Sequence, residues 1–184
     1  MTPPRRILVT GSREWTDPAV IARAISGYLR SVGTSIGGAW PFPVIVHGGA
    51  EGADQFADSI ARGWGWAPEP HPVTDSGWRA PCHPECAPGH RRAGRNGRIY
   101  CPAAAHYRNQ GMVDLGADVC LAFLSGPSRG TRDCVRRAEA AGIPVQLTTQ
   151  VGEVMTPLLA RTQSVLKAAG AGIERIFTET REAP

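Results

Sequence analysis

Residues 6–13 read Arg6-Ile7-Leu8-Val9-Thr10-Gly11-Ser12-Arg13, and this segment indicates the fold class. A short run of large aliphatic residues is typical of a buried β-strand, and it stops abruptly at a glycine. Shortly afterwards Thr16 or Asp17 can cap a helix that has Pro18 in its first turn, and apolar residues then recur at helical spacing. A strand that turns through glycine into a helix is the first unit of an α/β fold.

The same pattern returns further along the chain. The run Val44-Ile45-Val46-His47 ends at two glycines before a second amphipathic helical segment, and Val119 to Leu124 is nearly all apolar, as a central parallel strand should be. Further strands are predicted within residues 69–73 and 144–147. We therefore predict an α/β fold, with a Rossmann-like parallel five-stranded sheet and helices on both faces.

The length of 184 residues suits one domain with an appendage. We expect a Rossmann-like domain over residues 1–150 and a C-terminal helical extension over residues 151–184, whose helix opens at Thr156 and Pro157 and closes at Gly170. Hydrophobic residues make up 42% and charged residues 20%, which argues against a disordered, collagen-like or coiled-coil protein. The longest apolar run is far shorter than the roughly 20 residues of a membrane span, and the N-terminal residues lack a signal-peptide pattern. We expect a cytoplasmic protein with no membrane partner.

The formal net charge of +4 is unevenly distributed. Residues 79–108 contain six arginines and a single acid, Glu85, so any anion-binding surface is expected to be local. A solvated loop explains the same arginine cluster equally well.

Three predicted strand ends carry glycine and small polar residues, and each runs into a helix: residues 11–13, 48–54 and 125–131. Glycine lets backbone amides approach a ligand, and a helix start adds unpaired N–H donors and a partial positive charge. A single loop of this kind is weak evidence, because glycine also closes ordinary turns. Three loops at equivalent strand ends favour a phosphate-binding crevice.

These loops match neither G-x-G-x-x-G nor the Walker pattern, so no NAD fingerprint is present and a dehydrogenase or an ATPase is disfavoured. Four ordered motifs instead begin at Val9-Thr10-Gly11-Ser12-Arg13, at His47-Gly48-Gly49-Ala50, at Arg108-Asn109-Gln110-Gly111 and at Gly130-Thr131-Arg132-Asp133. Over about residues 5–148 they resemble the YspA-like (cpYpsA-related) branch of the SLOG (Smf/DprA–LOG) superfamily. The resemblance implies a Rossmann-like fold that binds a nucleotide or a nucleotide derivative, with a role in nucleotide signalling.

The resemblance also implies a set of ligand- or phosphate-binding residues: Gly11, Ser12, Arg13, Gly48, Gly49, Ala50, Asp54, Arg108, Asn109, Gly130 and Thr131. Two further candidates come from the residues themselves: Ser128 supplies a hydroxyl in the third loop, and the ring of Trp15 could stack on a base, although core packing explains that ring at least as well. In LOG enzymes, which cleave the base–ribose bond of a nucleotide, a catalytic glutamate stands three residues after the loop threonine. Cys134 occupies that position here, which leaves Asp54 or Asp133 as candidate catalytic carboxylates, with Glu51 as an alternative.

An insert over residues 77–105 holds three of the five cysteines. Cys82, Cys86, His90 and Cys101 supply the soft ligands that structural zinc prefers, with His83 as an alternative ligand. Reduced free cysteines and a disulfide are the other interpretations, and a cytoplasmic location disfavours the disulfide.

Three functions follow from these observations. The first is a nucleotide-binding sensor, carrier or sequestering protein, the second is an N-glycosidic hydrolase or transferase acting on a nucleotide, and the third is single-stranded DNA binding like that of DprA. Nucleic acid ranks last, because the basic residues form no run with interleaved aromatics. The sheet edges and the final helix are compatible with a homodimer.

Overall fold

A computed structural model describes residues 3–34, 41–74, 82–84, 86–94 and 97–150, and the backbone of residues 154–155. In chain order the elements are β1 (Arg6–Gly11), α1 (Pro18–Ser31), β2 (Val44–His47), α2 (Ala53–Gly63), β3 (Glu69–Pro70), β4 (Arg92–Ala93), β5 (Ile99–Tyr100), α3 (Ala104–Asp114), β6 (Val119–Leu124), α4 (Arg129–Ala140), β7 (Val145–Thr149) and β8 (Val154–Met155). The main sheet has the order β3-β2-β1-β6-β7-β8.

The predicted parallel sheet of five strands is confirmed, since β3, β2, β1, β6 and β7 pair in parallel. The sequence did not predict β8, which pairs antiparallel with β7 beyond the last parallel strand. The helix expected from Thr156 lies outside the described residues.

Helices cover both faces of the sheet, as predicted. On one face α1 and α2 pack against Ile7, Val9, Ile45 and Leu121. On the other face α3 and α4 pack against the alternate side chains of the same strands, including Leu8, Val46 and Ala122. Successive side chains of each strand point to opposite faces of the sheet, because a strand has a two-residue period. Since helices cover both faces, the ends of the strands are where a ligand can reach the sheet.

Strand register brings the glycine loops together. Val9 pairs with His47, and Gly11 pairs with Phe123, so β1, β2 and β6 end at nearly the same level. The helix start after β1 is also confirmed, because the Asp17 carboxylate accepts hydrogen bonds from the amides of Ala19 and Val20.

The Cys/His-rich insert lies between β3 and α3. Its described part contains a small antiparallel pair, in which Arg92 faces Tyr100 and Ala93 faces Ile99. Within the described ranges no helix is long and apolar enough to cross a membrane.

Candidate functional site

A cleft of about 650 Å³ opens at the carboxyl ends of β1, β2 and β6, where an α/β sheet usually binds its ligand. Most of the predicted binding residues line this cleft: Gly11, Arg13, Ala50, Asp54, Arg108, Asn109, Ser128, Gly130 and Thr131. The structure thus brings all three glycine loops and the α3 motif to one place.

The first loop is held against the others by close backbone contacts. A Cβ on Gly11 would lie 2.3 Å from the Cβ of Ala53 and 2.9 Å from the carbonyl of Phe123, so only glycine fits there. The fully buried Ser12 does not line the cleft. Its hydroxyl instead accepts a hydrogen bond from the Ser125 amide (2.8 Å) and donates one to the Ser125 carbonyl (2.9 Å). Ser12 therefore ties the first loop to the third.

The second loop is held by Arg108. Its guanidinium donates hydrogen bonds to the carbonyl of Gly48 and to the carbonyl of His71, the latter at 3.0 Å. The neighbouring imidazole of His47 accepts the Gly49 amide through Nδ1 at 3.1 Å. Gly48 and Gly49 are therefore fixed by side chains from β2 and α3, and they stand behind the cleft surface rather than on it.

Asp54 is a buried acid at the cleft, with 5% of its surface exposed. Its Oδ2 accepts a hydrogen bond from the Ala50 amide at 3.2 Å. Burial raises the pKa of Asp54 to about 6, although the Ala50 amide and the positive charge of Arg108 act in the opposite direction. A carboxyl with this pKa can accept a hydroxyl hydrogen bond at neutral pH and can exchange a proton in mildly acidic conditions.

The third loop leads into the N-terminus of α4. No side chain caps this end, because the Ser128 hydroxyl lies 2.7 Å from the Thr131 hydroxyl instead of bonding to a helix amide. The first amides of a helix have no intrahelical partners, so they are available to an anion in the cleft. Arg13 and Arg129 add cationic groups to the same cleft.

Asp133 does not line the cleft, so the structure does not place it as a carboxylate facing a ligand. The side chain is 6% exposed and contacts Arg136 (2.6 Å), Arg137 (2.9 Å) and His106 Nδ1 (2.9 Å). Burial opposes its ionisation, but the hydrogen bonds from Arg137 and Asn109 and the close contact with His106 outweigh burial and lower the pKa of Asp133. Asp133 is thus a fixed anion behind the wall that α3 and α4 form.

Trp15 also lies away from the cleft. Its ring is 2% exposed and packs edge-on against Phe123, with centroids 5.4 Å apart, while its indole N–H donates to the Asp17 carbonyl. The structure uses this ring for core packing and not for stacking on a base.

Several cleft residues were not among those predicted. They come from the insert and α3 (Tyr100, Pro102, Ala105, His106 and Met112), from β1 and the loop after it (Thr10 and Glu14) and from the third loop (Ser125, Gly126, Pro127 and Arg129). The insert residues carry no glycine or phosphate-binding pattern, and their place on the wall follows only from how β5 and α3 fold back over the sheet. The position of the LOG glutamate holds Cys134, which is fully buried in the core.

Cys82, Cys86, His90 and Cys101 form a cluster that could hold a metal ion, since their ligand atoms all lie within 4.8 Å of one another. The Sγ atoms of Cys86 and Cys101 are 3.9 Å apart, and His90 Nε2 lies 3.3 Å from Cys82 Sγ and 3.1 Å from Cys101 Sγ. Sulfur ligands around tetrahedral zinc lie about 3.8 Å apart, which is close to this spacing.

The hydrogen bond of the other His90 nitrogen also supports metal binding by this cluster. His90 Nδ1 lies 2.6 Å from the carbonyl of Ala87, so Nδ1–H donates there and Nε2 keeps its lone pair for the cluster. Burial raises the pKa of the Cys101 thiol, but the contact with His90 and the hydrogen bond from the Ala103 amide have the larger effect and lower the pKa to about 7. All five cysteines lie in the described part of the chain, and none forms a disulfide. His83, the alternative ligand, stacks on Tyr107.

This chain resembles one known family and two known proteins. The family described as "YspA, cpYpsA-related SLOG family" matches residues 5–73. The Gene 61 protein of Mycobacterium phage D29 is 40% identical over 141 residues, which are 77% of this chain and 94% of that protein. The X-ray structure of DNA processing protein A (DprA) from Streptococcus pneumoniae aligns with a TM-score of 0.48 and 18% identity over 79% of this chain. The chain spans 50% of the length of that DprA chain. On the family match and the phage relative, the chain belongs to the YspA, cpYpsA-related SLOG family.

Proposed function

We propose that this protein binds a nucleotide or a nucleotide derivative in the cleft and acts as a sensor, carrier or sequestering protein. The observation that carries the proposal is the convergence of three glycine loops and an uncapped helix N-terminus on one cleft of about 650 Å³. Small-molecule sites generally occupy roughly 300–1,000 Å³, and a nucleotide fits within that range.

The phosphate end of the ligand belongs at the third loop. There the first amides of α4 and the hydroxyls of Ser128 and Thr131 line the cleft, and Arg13 and Arg129 supply positive charge. Backbone donors and arginine side chains together favour a phosphate over a neutral group.

The sugar end belongs at the second loop. Asp54 is buried, lines the cleft beside Ala50 and accepts hydrogen bonds, which suits the hydroxyls of a ribose. A carboxylate at this position would repel a second phosphate, so the ligand is expected to lie with its sugar towards α2 and its phosphate towards α4.

A thermal-denaturation panel tests the proposal with AMP, GMP, cyclic AMP, NAD and ADP-ribose as the probes. A ligand at about 100 times its Kd should stabilise the folded protein by about 2.7 kcal/mol and raise Tm by several degrees. Arg13→Ala should abolish the shift, while Arg30→Ala, which removes an arginine from the end of α1, should keep it. If none of the phosphorylated probes shifts Tm, the proposal is wrong.

A second candidate function, hydrolysis or transfer at the N-glycosidic bond of a nucleotide, is favoured by one observation. Asp54 faces the cleft as a buried carboxyl whose pKa is raised to about 6, as in many general acids and bases. Chromatography should then detect free base released from a bound nucleotide, and Asp54→Asn should lose this activity. A nucleotide that binds without releasing base would refute the candidate.

We further propose that the Cys/His cluster holds a structural zinc ion. Three thiols and one imidazole with a fixed tautomer form a complete four-ligand set for zinc, and free thiolates persist in a reducing cytoplasm. Bound zinc would join the segment around Cys82 to the start of α3, because Cys101 precedes that helix by three residues.

A further inference from the structure

His106 is the one imidazole among the described side chains of the cleft. It lies in the first turn of α3, and 40% of its side chain is exposed. Its Nδ1 lies 2.9 Å from Oδ2 of Asp133. Nδ1 is buried beside this carboxylate without an aligned hydrogen bond to it, so Nε2 is the nitrogen left for a group bound in the cleft.

The Asp133 carboxylate beside Nδ1 is itself held in place by three side chains. The two guanidinium groups of Arg136 and Arg137 contact its two oxygens, and Asn109 Nδ2 donates to it at 3.2 Å. These contacts fix the carboxylate as an anion. An anion beside Nδ1 favours the tautomer with the proton on Nδ1 and a lone pair on Nε2.

The pair lies beside the proposed phosphate position. Asp133 belongs to the N-terminal half of α4, and Asn109 joins α3 to the carbonyl of Gly130 at 3.3 Å. His106 is therefore close to the start of α4, whose first residues line the cleft, whereas Asp54 lies on the wall formed by α2. A bond at phosphorus is thus the bond of a bound nucleotide nearest to the imidazole.

We propose that His106 is a catalytic residue for the hydrolysis of a phosphorus–oxygen bond in a nucleotide bound in the cleft, and that Asp133 is its positioning residue. The inference rests on the proposed nucleotide binding and adds a reaction to it.

The reaction needs only water and the bound nucleotide. A water oxygen bonds to phosphorus as the bond from phosphorus to the leaving oxygen breaks, and the water proton passes to Nε2 of His106. The imidazolium then returns a proton to the leaving oxygen, so the products are an alcohol or a shorter phosphate and the freed phosphate. Arg13 and Arg129 offset the charge on the phosphoryl oxygens.

The experiment incubates the full-length protein with AMP, ADP, ATP, cyclic AMP, NAD and ADP-ribose, and follows cleavage by ³¹P NMR. At least one probe should be turned over, with kcat lowered about 100-fold or more in His106→Ala and KM changed by less than about 3-fold. Added imidazole should restore part of the activity of His106→Ala, which a merely structural role would not produce. Asp133→Asn should lower kcat and shift the pH profile.

The matched control is His71→Gln. His71 forms a similar pair with Glu69, at 2.7 Å, but it does not line the cleft, so its loss should leave turnover unchanged. Thermal shifts with the same probes distinguish the proposed hydrolysis from the proposed nucleotide binding. Binding without cleavage of any probe overturns the reaction and leaves nucleotide binding intact, whereas the absence of binding overturns both. Turnover that survives in a folded His106→Ala, or that falls equally in His71→Gln, also overturns the role of His106.

Discussion

The hydroxyl of Ser12 and the backbone of Ser125 form a reciprocal pair, in which the hydroxyl accepts the amide at 2.8 Å and donates to the carbonyl at 2.9 Å. One buried side chain thus satisfies both backbone groups of a residue on another loop. The pair joins the ends of β1 and β6, and it sets the distance between two of the three walls of the cleft.

Ser12→Ala should therefore lower both stability and ligand binding. It leaves the two backbone groups of Ser125 without this partner, so we expect the free energy of unfolding to fall by about 1–3 kcal/mol in urea titrations. The Tm shift produced by a nucleotide should fall as well. Ser26→Ala is the control, because the Ser26 hydroxyl bonds only to carbonyls within α1. Equal losses in the two variants would contradict the proposed tie between the loops.

Gly52→Ala should be among the most damaging single-methyl changes. Gly52 has φ of +76°, and an added Cβ would lie 2.4 Å from the carbonyl oxygen of Arg13 and 2.5 Å from that of Ser12. We expect a loss of about 3 kcal/mol or more in the free energy of unfolding. Gly27→Ala adds the same methyl to the middle of α1, where nothing lies within 4 Å. That change should stabilise the protein by about 0.5–1 kcal/mol, and a loss of stability there would contradict the open space around Gly27.

Asp54 should give the folded protein a distinctive pH dependence. Its pKa is raised from 3.8 to about 6, so the folded protein binds more protons than the unfolded chain between about pH 4 and 6, and this part of the stability falls as pH rises. Asn cannot ionise. The free energy of unfolding of Asp54→Asn relative to the wild type should therefore increase by about 2 kcal/mol from pH 4 to pH 7 in urea titrations.

Asp58 should give the stability of the folded protein the opposite pH dependence. A hydrogen bond from Arg62 lowers the pKa of Asp58, so its stabilising contribution is present above about pH 4 and is lost as pH falls. Asp58→Asn should therefore lose stability relative to the wild type as pH rises through this range. The same trend in both variants would contradict the assignment of the raised pKa to Asp54.

Zinc should bind through the insert and not through the core cysteines. Elemental analysis should find about one zinc per chain in the wild type and much less in Cys86→Ser, whose loss should also lower Tm. Cys120→Ala removes a thiol that is fully buried on β6, so its zinc content should match that of the wild type. A fully folded wild-type protein that contains no zinc would refute the proposal.

Local sequence signals predicted most of the fold. Aliphatic runs that end in glycine identified β1, β2 and β6, and Asp17 followed by Pro18 identified the start of α1, because each of these signals acts over a few neighbouring residues. β8 was missed because a two-residue strand has no periodicity of its own and exists only through its pairing with β7.

The site was predicted less completely, for a related reason. Glycine loops mark strand ends, so Gly11, Ala50 and Gly130 could be found from the sequence. The pairing of His106 with Asp133 joins two helices that are distant in sequence, and no local pattern reveals it. Trp15 follows a glycine loop, which suggested a stacking ring, but only the packing of α1 and β6 decides that the ring turns into the core.

The edge strand β3 limits how this sheet can meet another chain. The His71 amide donates to the His47 carbonyl at 2.8 Å, so alternate positions along this segment point away from β2. Those outward positions hold Pro68, Pro70 and Pro72, which have no N–H to offer. A strand added at this edge would meet backbone carbonyl groups but no backbone N–H groups, so it could form only some of the usual ladder hydrogen bonds. This disfavours aggregation by β-addition at the edge. Self-association of the fold would therefore have to use side-chain surfaces rather than a continuous sheet across this edge.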